Sequence, residues 1–441
     1  MLTFVQSWFA AGANPIGIDF GTECLRMAQV EKAGGDCRLI AAASLDVPTD
    51  IRTDPTARLD FFAAKLPELC AQGNFRGRRV VLAVPAANMH VQHLRLPRMD
   101  EESIKKALPW ESSDKLPFDP SDAMLRHLVA GDIYCEQEPR SEVILMAAQR
   151  HFIDAMLAAA GRGRVDVVGM NVEPVALIDC FLNIYRRKSD ADQTNCFVDI
   201  GSRASRAIIA RGGQVLFVRN LPIGGEHFNG AVATELSITA EEARARRARP
   251  SIDGETLTAG HATSRNIERR GDGMGAAPAN ADEDSQSSAM QCEEPIVSSF
   301  SFLAGEDSWS NTRGNVAVAR ARPSPAAAAA SLEQQRIERA LREPVARLVE
   351  ELSLCRRYHE ATFPDRPIQR LIFVGGEAQQ RDLCQQIARA LGIGAQIGDP
   401  LVRMGRTTQV GIESGIDRRQ PQPAWAVAIG LSMGPVENNA T

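Results

Sequence analysis

The feature that most constrains the fold is a short motif that occurs twice, 180 residues apart. Residues 17–22 read Gly-Ile-Asp-Phe-Gly-Thr, and residues 197–202 read Phe-Val-Asp-Ile-Gly-Ser. Each copy is followed by a second apolar segment, a glycine-containing turn (Gly34-Gly35 or Gly212-Gly213) and a third segment. Strand, turn, strand, turn, strand is the pattern of a β-meander. The sequence therefore predicts two matching three-stranded units, and a chain with two related halves.

The sequence around the two meanders predicts an α/β architecture. Short apolar runs indicate further strands, and apolar residues every three or four positions indicate helices. Their alternation along the chain is typical of layered α/β domains. Pro344 is expected to kink or to divide the helix that contains it. The predicted strands are 80–84, 143–148, 165–170 and 368–374, and the predicted helices are 149–160, 173–186, 225–236, 239–249, 332–360 and 378–391.

One stretch, 251–330, differs in composition from the rest of the chain. It contains 11 acidic and 6 basic residues, and only 10 of its residues are Leu, Ile, Val or Phe. That apolar share is below the ~20% at which a segment can no longer bury enough surface to offset its chain entropy. The stretch is therefore predicted to be a disordered insertion rather than a domain.

Composition excludes several classes of protein. The net charge of −5 does not suit a nucleic-acid binder that depends on phosphate contacts. No Gly-Lys-Ser/Thr tripeptide occurs, which excludes a P-loop NTPase.

Nine cysteines without a Cys-x-x-Cys pair fit a reducing compartment better than a disulfide framework or a zinc site. His90 and His93 lie three residues apart in a segment that reads as a strand. Such residues point to opposite faces, so the two histidines are not expected to bind one metal ion together. No run of 18 apolar residues is present, so no direct membrane insertion is expected.

The repeated motif has a definite chemical use. An aspartate at the end of a strand can hold a divalent cation, and a following glycine lets the backbone approach a phosphate. Successive backbone N–H groups of such a turn, with the Thr or Ser hydroxyl, can then bind phosphate oxygens. A single copy is weak evidence, because an ordinary hairpin has the same pattern. Two copies in matched meanders indicate a clamp for a polyphosphate.

Two such turns, with a Gly375-Gly376 turn after an apolar strand, resemble those of the actin, sugar-kinase and heat-shock ATPase superfamily. Within that superfamily the chain resembles the PilM family of type IV pilus assembly proteins, which is itself similar to the cell-division protein FtsA. The resemblance runs from about residue 16 to residue 433 and is interrupted by 251–330. The segments that carry it are 16–21, 106–111, 116–119, 168–177, 198–201, 219–225, 373–376 and 423–431.

The resemblance implies a fold of two ribonuclease-H-like lobes with a nucleotide in the cleft between them. It also implies the small extra subdomain that PilM shares with FtsA. The implied boundaries are 15–84 plus 150–194 for the first lobe, 85–149 for the small inserted subdomain, 195–250 plus 331–434 for the second lobe and 251–330 for the disordered insertion.

The resemblance also implies a site that takes ATP and Mg²⁺. Asp19 and Asp199 would hold the metal, and Glu173 and Asp199 would have catalytic roles. Glu173 is equally explained as a carboxylate that is favoured at a helix N-terminus. The residues implied to bind the nucleotide are Asp19, Gly21, Thr22, Glu23, Gly201, Ser202, Arg203, Gly224, Gly225, Gly375, Gly376 and Glu377.

Several residues depart from the family pattern around this site. Glu377 stands where the family usually continues with another glycine. Arg244 and Arg247 stand where it tends to carry an acid and a lysine that face the ribose, and Arg203 and Ala204 replace small and hydroxyl residues of the second turn. These departures predict weak ATP binding, with slow or no hydrolysis.

The function implied is that of a cytoplasmic, nucleotide-binding scaffold in the inner-membrane complex that assembles a type IV pilus or a related secretion machine. The implied partners are the cytoplasmic tail of a PilN-like membrane protein and the pilus assembly ATPases, and self-association is left open. An FtsA-like division protein is an alternative, but residues 434–441 do not form the basic amphipathic helix that would bind a membrane. A sugar-kinase-type enzyme is a second alternative, although no acidic residue is placed by sequence as its substrate base.

Overall fold

The computed structural model describes residues 14–33, 36–248, 325–406 and 415–434. Its strands form three sheets, and its helices pack on them in the predicted α/β arrangement. The predicted insertion 251–330 lies outside the described residues except for 325–330, which are helical.

The strands and helices are numbered in chain order. The strands are β1 (Ile16–Phe20), β2 (Cys24–Ala33), β3 (Asp36–Asp46), β4 (Arg79–Val84), β5 (His90–Pro97), β6 (Ala123–Cys135), β7 (Glu138–Gln149), β8 (Asp166–Val172), β9 (Thr194–Ile200), β10 (Ser205–Arg211), β11 (Gln214–Leu221), β12 (Arg370–Val374), β13 (Ala395–Ile397) and β14 (Met404–Arg406). The α-helices are α1 (Pro55–Gln72), α2 (Glu101–Glu111), α3 (Arg150–Arg162), α4 (Glu173–Leu182), α5 (Lys188–Ala191), α6 (Gly225–Leu236), α7 (Ala240–Arg247), α8 (Pro325–Thr362), α9 (Arg381–Leu391) and α10 (Ala426–Met433).

The two large sheets share one topology. The first has the order β14-β3-β2-β1-β4-β8, and the second has the order β11-β10-β9-β12-β13. In each, an antiparallel meander is followed by parallel strands, since β1 pairs in parallel with β4 and β9 pairs in parallel with β12. The predicted pair of matching meanders is therefore confirmed, and the match extends to the strands that follow them.

The core is arranged in layers around these two sheets. Side chains of a strand alternate between its faces, and Phe20 of β1 packs with Phe62 of α1 on the outer face of the first sheet. The inner faces of both sheets enclose α4 and α10, whose Phe181 and Ile429 lie in one buried cluster with residues of both sheets. Leu348 of α8 packs on the outer face of the second sheet with residues of α9. Because α4 and α10 lie between the sheets, the start of α4 is placed where the two meanders meet.

A third, antiparallel sheet lies within the predicted small subdomain, with the order β5-β7-β6. His93 of β5 connects it to the second large sheet, and His93 is held by Glu142, which is fully buried on β7. The Glu142 carboxylate accepts a hydrogen bond from the Tyr358 hydroxyl (2.6 Å) and lies 3.0 Å from His93 Nδ1. The other ring nitrogen of His93 is 3.1 Å from the carbonyl oxygen of Val218. His90 instead lies edge-on to Phe118, so the two histidines have separate surroundings.

The structure differs from the sequence-based expectations in three places. The helix predicted to reach residue 186 ends at Leu182. Pro344, expected to kink or to divide its helix, lies inside one continuous helix, α8, so the division into two helices does not occur and the kink stays a prediction. Val345 and Leu348, in the turn after the proline, are both buried on one face of the helix. Their packing stabilises the helix although Pro344 has no N–H group to donate. The segment 404–406, expected in the second lobe, is β14 and pairs with β3 of the first sheet. The lobe boundaries themselves stay a prediction.

Candidate functional site

The first Asp-x-Gly-Thr turn joins β1 to β2. Asp19 is buried near the end of β1, and the strand register places it directly across from Arg26 of β2. A Cβ atom on Gly21 would lie 2.6 Å from the carbonyl oxygen of Cys24. This contact is too short for any side chain, so the tight turn requires glycine.

The second turn repeats this geometry between β9 and β10. Asp199 is buried and lies directly across from Arg206 of β10. Gly201 donates its N–H to the carbonyl oxygen of Ala204 (3.1 Å), and a Cβ on Gly201 would lie 2.8 Å from that oxygen. In both copies an arginine therefore follows the aspartate by seven residues and faces it across the meander.

Arg206 joins the second turn to the helix that lies between the sheets. Its guanidinium makes ion pairs with Asp199 and with Glu173, the first residue of α4. The side chains of all three are buried, with 11% of Arg206, 8% of Asp199 and 7% of Glu173 exposed. Asp19 belongs to the same electrostatic group, because its negative charge acts on both Asp199 and Arg206. The structure thus brings together the three acidic residues predicted for the site.

Burial has the largest effect on the pKa values of Asp19, Asp199 and Arg206. Burial, with Asp19 as a further contribution, raises the pKa of Asp199 to about 7 against the opposing charge of Arg26. Burial also raises the pKa of Asp19, and Arg26 and Arg206 oppose it. Burial lowers the pKa of Arg206 to about 10, with the Asp19 charge opposing. Arg206 therefore keeps its charge at neutral pH, and burial makes Asp199 easier to protonate than an ordinary aspartate.

The Gly375-Gly376 turn lies directly beside the second Asp-x-Gly turn. Gly375 follows β12 with a φ of 87°, a region that favours glycine. A Cβ on Gly375 would lie 2.3 Å from Asp199 Oδ1, whereas a Cβ on Gly376 would have no heavy atom within 4 Å. Gly375 is thus required by the contact with the aspartate, and Gly376 is not.

The N-terminus of α6 lies on the second turn. Gly225 donates its backbone N–H to the carbonyl oxygen of Gly201 (2.9 Å), and Glu226 donates to that of Ser202 (2.7 Å). The Ser202 hydroxyl in turn donates to Glu226 Oε1 (3.2 Å). A Cβ on Gly224 would lie 2.6 Å from the Ser202 carbonyl oxygen, so α6 and the turn form one compact unit.

Glu377 is also held within this unit. Its carboxylate lies 2.5 Å from Arg247 Nη2, and the same guanidinium donates to Asn229 Oδ1 (2.5 Å). A Cβ on Gly225 would lie 2.3 Å from Glu377 Oε1. The Arg247 side chain is only 3% exposed. The two residues that depart most from the family pattern therefore neutralise each other in a buried ion pair.

Contacts from both lobes surround the first turn. Arg58 Nη1 donates to the Thr22 hydroxyl (3.3 Å). Glu23 lies 3.6 Å from Arg52 Nη1 and 3.2 Å from Arg244 Nη2. Arg244 belongs to α7, so this last ion pair crosses between the two halves of the chain. Across the second turn, Arg203 lies 3.6 Å from Glu226.

Sequence reasoning missed the role of Arg206, the residue that makes most of the ion-pair contacts at the centre of this group. The signal was available, because Arg26 and Arg206 occupy the same position in the two copies of the repeat. Only Arg206 makes ion pairs with carboxylates; Arg26 makes none with any residue that the structure describes. The part of each predicted residue in nucleotide binding stays a prediction.

The residues as arranged do not fit a magnesium ion. Magnesium requires near-octahedral oxygen ligands at about 2.0–2.1 Å. The oxygens of Asp199 and Glu173 instead face the guanidinium of Arg206. Within the described parts of the chain, no group of three or more His, Cys, Asp or Glu side chains could hold a metal.

A cavity of about 180 Å³ lies apart from this group, where the small sheet meets α4 and the second large sheet. Leu128 of β6, Val175 of α4 and Gln214 of β11 are among its lining residues. Asp179 of α4 also lines it, and burial raises the pKa of Asp179 to about 7 against the opposing charges of Arg126 and Lys32.

Comparison with solved structures identifies similar folds. The PilM-PilN type IV pilus biogenesis complex matches with a TM-score of 0.64 and 18% identity, over 95% of this chain and 98% of that chain. The ethanolamine utilization protein EutJ from Carboxydothermus hydrogenoformans matches with a TM-score of 0.45 and 12% identity, over 98% and 93% of the two chains. The cytoplasmic domain of EpsL, an inner-membrane component of the type II secretion system of Vibrio cholerae, gives a TM-score of 0.30 and 10% identity, over 51% and 76%.

Comparison of sequences is more specific. No curated protein matches the chain. A model of the family described as type IV pilus assembly protein PilM matches residues 17–255, which is more than half of the sequence. The chain has the actin-like ATPase fold and belongs to the PilM family of type IV pilus assembly proteins.

Proposed function

We propose that this chain is a nucleotide-binding scaffold of the inner-membrane complex that assembles a type IV pilus or a related secretion machine. In this proposal it binds ATP in the cleft between its lobes and the cytoplasmic tail of a PilN-like membrane partner. It is cytoplasmic and is held at the inner membrane through that partner. No helix among the described residues is both long and apolar enough to cross a membrane. Contact with the pilus assembly ATPases and self-association stay predictions.

One observation carries the nucleotide part of the proposal. The two Asp-x-Gly turns come from different sheets, yet Asp19 is close enough to Asp199 for its charge to raise the pKa of Asp199. Turns of this type offer glycine backbone and a hydroxyl to phosphate oxygens. Two of them at one cleft support binding of a polyphosphate between the lobes.

Titration calorimetry with ATP tests this proposal. Ser202→Leu places a bulky apolar side chain at the second turn and is expected to weaken ATP binding by at least ~10-fold. Ser189→Leu is the matched control, since Ser189 is exposed on the short helix α5, away from both turns. The proposal is wrong if the wild-type protein binds no ATP. Equal affinities for the two variants would remove the second turn from the site.

We propose further that hydrolysis is slow or absent. Glu173, the residue implied to polarise the attacking water, is engaged by Arg206, and a carboxylate in an ion pair is a weak base. Glu377 is likewise engaged by Arg247. A steady-state turnover above about 1 s⁻¹, in the ordinary enzyme range, would contradict this.

The partner part of the proposal is supported by the solved complex of PilM with PilN and by the surface of the small subdomain. Trp110 and Tyr134 are 83% and 80% exposed, and four of the eight large exposed apolar side chains in the described residues lie within 85–149. Exposed aromatic side chains are typical anchors of protein interfaces.

Fluorescence anisotropy with a labelled cytoplasmic-tail peptide of the PilN-like partner tests this part. Trp110→Ala and Tyr134→Ala are each expected to weaken binding by about 10-fold, the size of a moderate interface contact. Leu332→Ala is the control, because Leu332 is 61% exposed but lies on α8 outside the small subdomain. Unchanged affinity in both aromatic variants would exclude this surface.

A further inference from the structure

We propose that Arg206 takes the place of a divalent cation between the carboxylates of the cleft, so that this chain binds nucleotide phosphates without magnesium. The first half, the exclusion of the cation, stands on the geometry alone. The second half rests on the proposed nucleotide-binding function.

The position of Arg206 is fixed by the sheet. The register of β9 and β10 places its backbone directly across from Asp199. Its guanidinium reaches across to Glu173 at the start of α4, which belongs to the other half of the chain. Because the side chain is 11% exposed, it cannot turn out into solvent without leaving two buried carboxylates unpaired.

The charges of the group support the same conclusion. Asp19, Glu173 and Asp199 carry up to three negative charges, and Arg26 and Arg206 supply two positive charges. A divalent ion placed between Asp199 and Glu173 would have to displace the Arg206 guanidinium, which pairs with both carboxylates.

The contrast between the two repeats shows that this arrangement is specific to the second copy. Arg26 occupies the equivalent position but makes no ion pair with a described residue, whereas Arg206 makes two. Gly375 lies beside Asp199, since a Cβ placed on it would be 2.3 Å from Asp199 Oδ1. The carboxylate of the second copy is therefore contacted by Arg206 and lies beside a glycine backbone.

Titration with Mn²⁺ alone, followed by electron paramagnetic resonance, tests the first half. The wild-type protein is expected to show no tightly bound Mn²⁺, and Arg206→Ser is expected to gain one site. Arg206→Lys, which keeps the charge, is expected to behave as wild type. Arg211→Ser is the matched control, since Arg211 lies on the same strand but pairs with Asp192 at the surface. One Mn²⁺ site in the wild-type protein that disappears in Asp199→Ala would overturn the proposal, as would the lack of a new site in folded Arg206→Ser.

Calorimetry with ATP in excess EDTA and in excess MgCl₂ tests the second half. The wild-type affinity is expected to differ by less than about twofold between the two buffers, and that of Arg206→Ser by at least ~10-fold in favour of magnesium. A wild-type protein that binds ATP only with magnesium would overturn the inference. The absence of ATP binding in both buffers would overturn the proposed function instead, while the Mn²⁺ result would still decide whether Arg206 excludes the cation.

Discussion

In the first Asp-x-Gly turn, the side chains of Thr22 and Glu23 are contacted by arginines from distant parts of the sequence. In the second turn, the contacts include the ion pair of Asp199 within the meander, the neighbouring backbone of Gly375 and hydrogen bonds with the first residues of α6. The backbone geometry of the two turns is nevertheless the same, as the matched contacts of Gly21 and Gly201 demonstrate. The repeat therefore determines the shape of each turn, while residues outside the motif determine how rigidly it is held and which charges it meets.

The largest expected effect comes from Gly375→Ala, which breaks the packing of the second turn. The new Cβ would lie 2.3 Å from Asp199 Oδ1 and 2.6 Å from the Ile200 carbonyl oxygen, at a φ of 87°. Overpacking and the unfavourable φ together should lower the free energy of unfolding by about 3–4 kcal/mol. Gly376→Ala is the control and should cost less than about 1 kcal/mol, because a Cβ there meets no atom within 4 Å. Urea denaturation measures both, and equal costs would show that the contact is not rigid.

Arg206→Ala and Arg26→Ala compare the two equivalent arginines. Loss of Arg206 leaves Asp199 and Glu173 buried without a counter-charge, and we expect a cost of about 2–3 kcal/mol at pH 8. Removal of the cation further raises the pKa of Asp199, so the cost should be smaller at pH 6, where protonation of Asp199 relieves it. Arg26→Ala should cost about 1 kcal/mol or less, since it breaks no ion pair with a described residue. A pH-independent cost for Arg206→Ala would contradict the assigned charges.

Asp179 shows what burial does to a carboxyl group that has no ion pair with a described residue. Its pKa, like that of Asp199, is raised by burial to about 7, but no described residue makes an ion pair with it. A folded-state pKa above the ordinary value of 3.8 means that stability is lost as pH rises from about 4 through 7. Asp179→Asn should remove this loss and be at least ~2 kcal/mol more stable than wild type at pH 8, with a difference below ~1 kcal/mol at pH 4. Asp154→Asn, at an exposed position of α3, is the control for thermal unfolding at both pH values.

The smallest expected effect belongs to the rim of the first turn. Arg244→Ala removes the ion pair with Glu23, but the Arg244 side chain is 46% exposed and Arg52 remains near the carboxylate. We expect a loss of about 0.5 kcal/mol that disappears at high salt. Arg246→Ala is the comparison, since Arg246 pairs with Glu333 within one half of the chain. Faster hydrogen exchange around the first turn in Arg244→Ala alone would show that the bridge between the lobes matters beyond its small energy.

The sequence predicted the sheets well because each meander carries its own turn signals. It predicted the positions of the aspartates and glycines in the two turns for the same reason, since the motif is local, and their role in nucleotide binding stays a prediction. It did not predict the pairing of β14 with β3, because three residues give no periodic signal and the pairing depends on the path of the chain. It also did not assign Arg206, because an arginine inside a strand is ordinary until the partner across the cleft, Glu173, is known.

The way in which the two ends of the described chain meet has a consequence for the order of synthesis and folding. Ser432 of α10 donates its hydroxyl to the carbonyl oxygen of Pro15 and accepts a hydrogen bond from the N–H of Val30. The same helix packs on β1, where a Cβ on Gly17 would lie 2.0 Å from the carbonyl oxygen of Ala428. The inner face of the first sheet is therefore covered only after residues near 430 have left the ribosome. During translation the N-terminal half must remain partly uncovered until α10 has been synthesised and can pack on the first sheet.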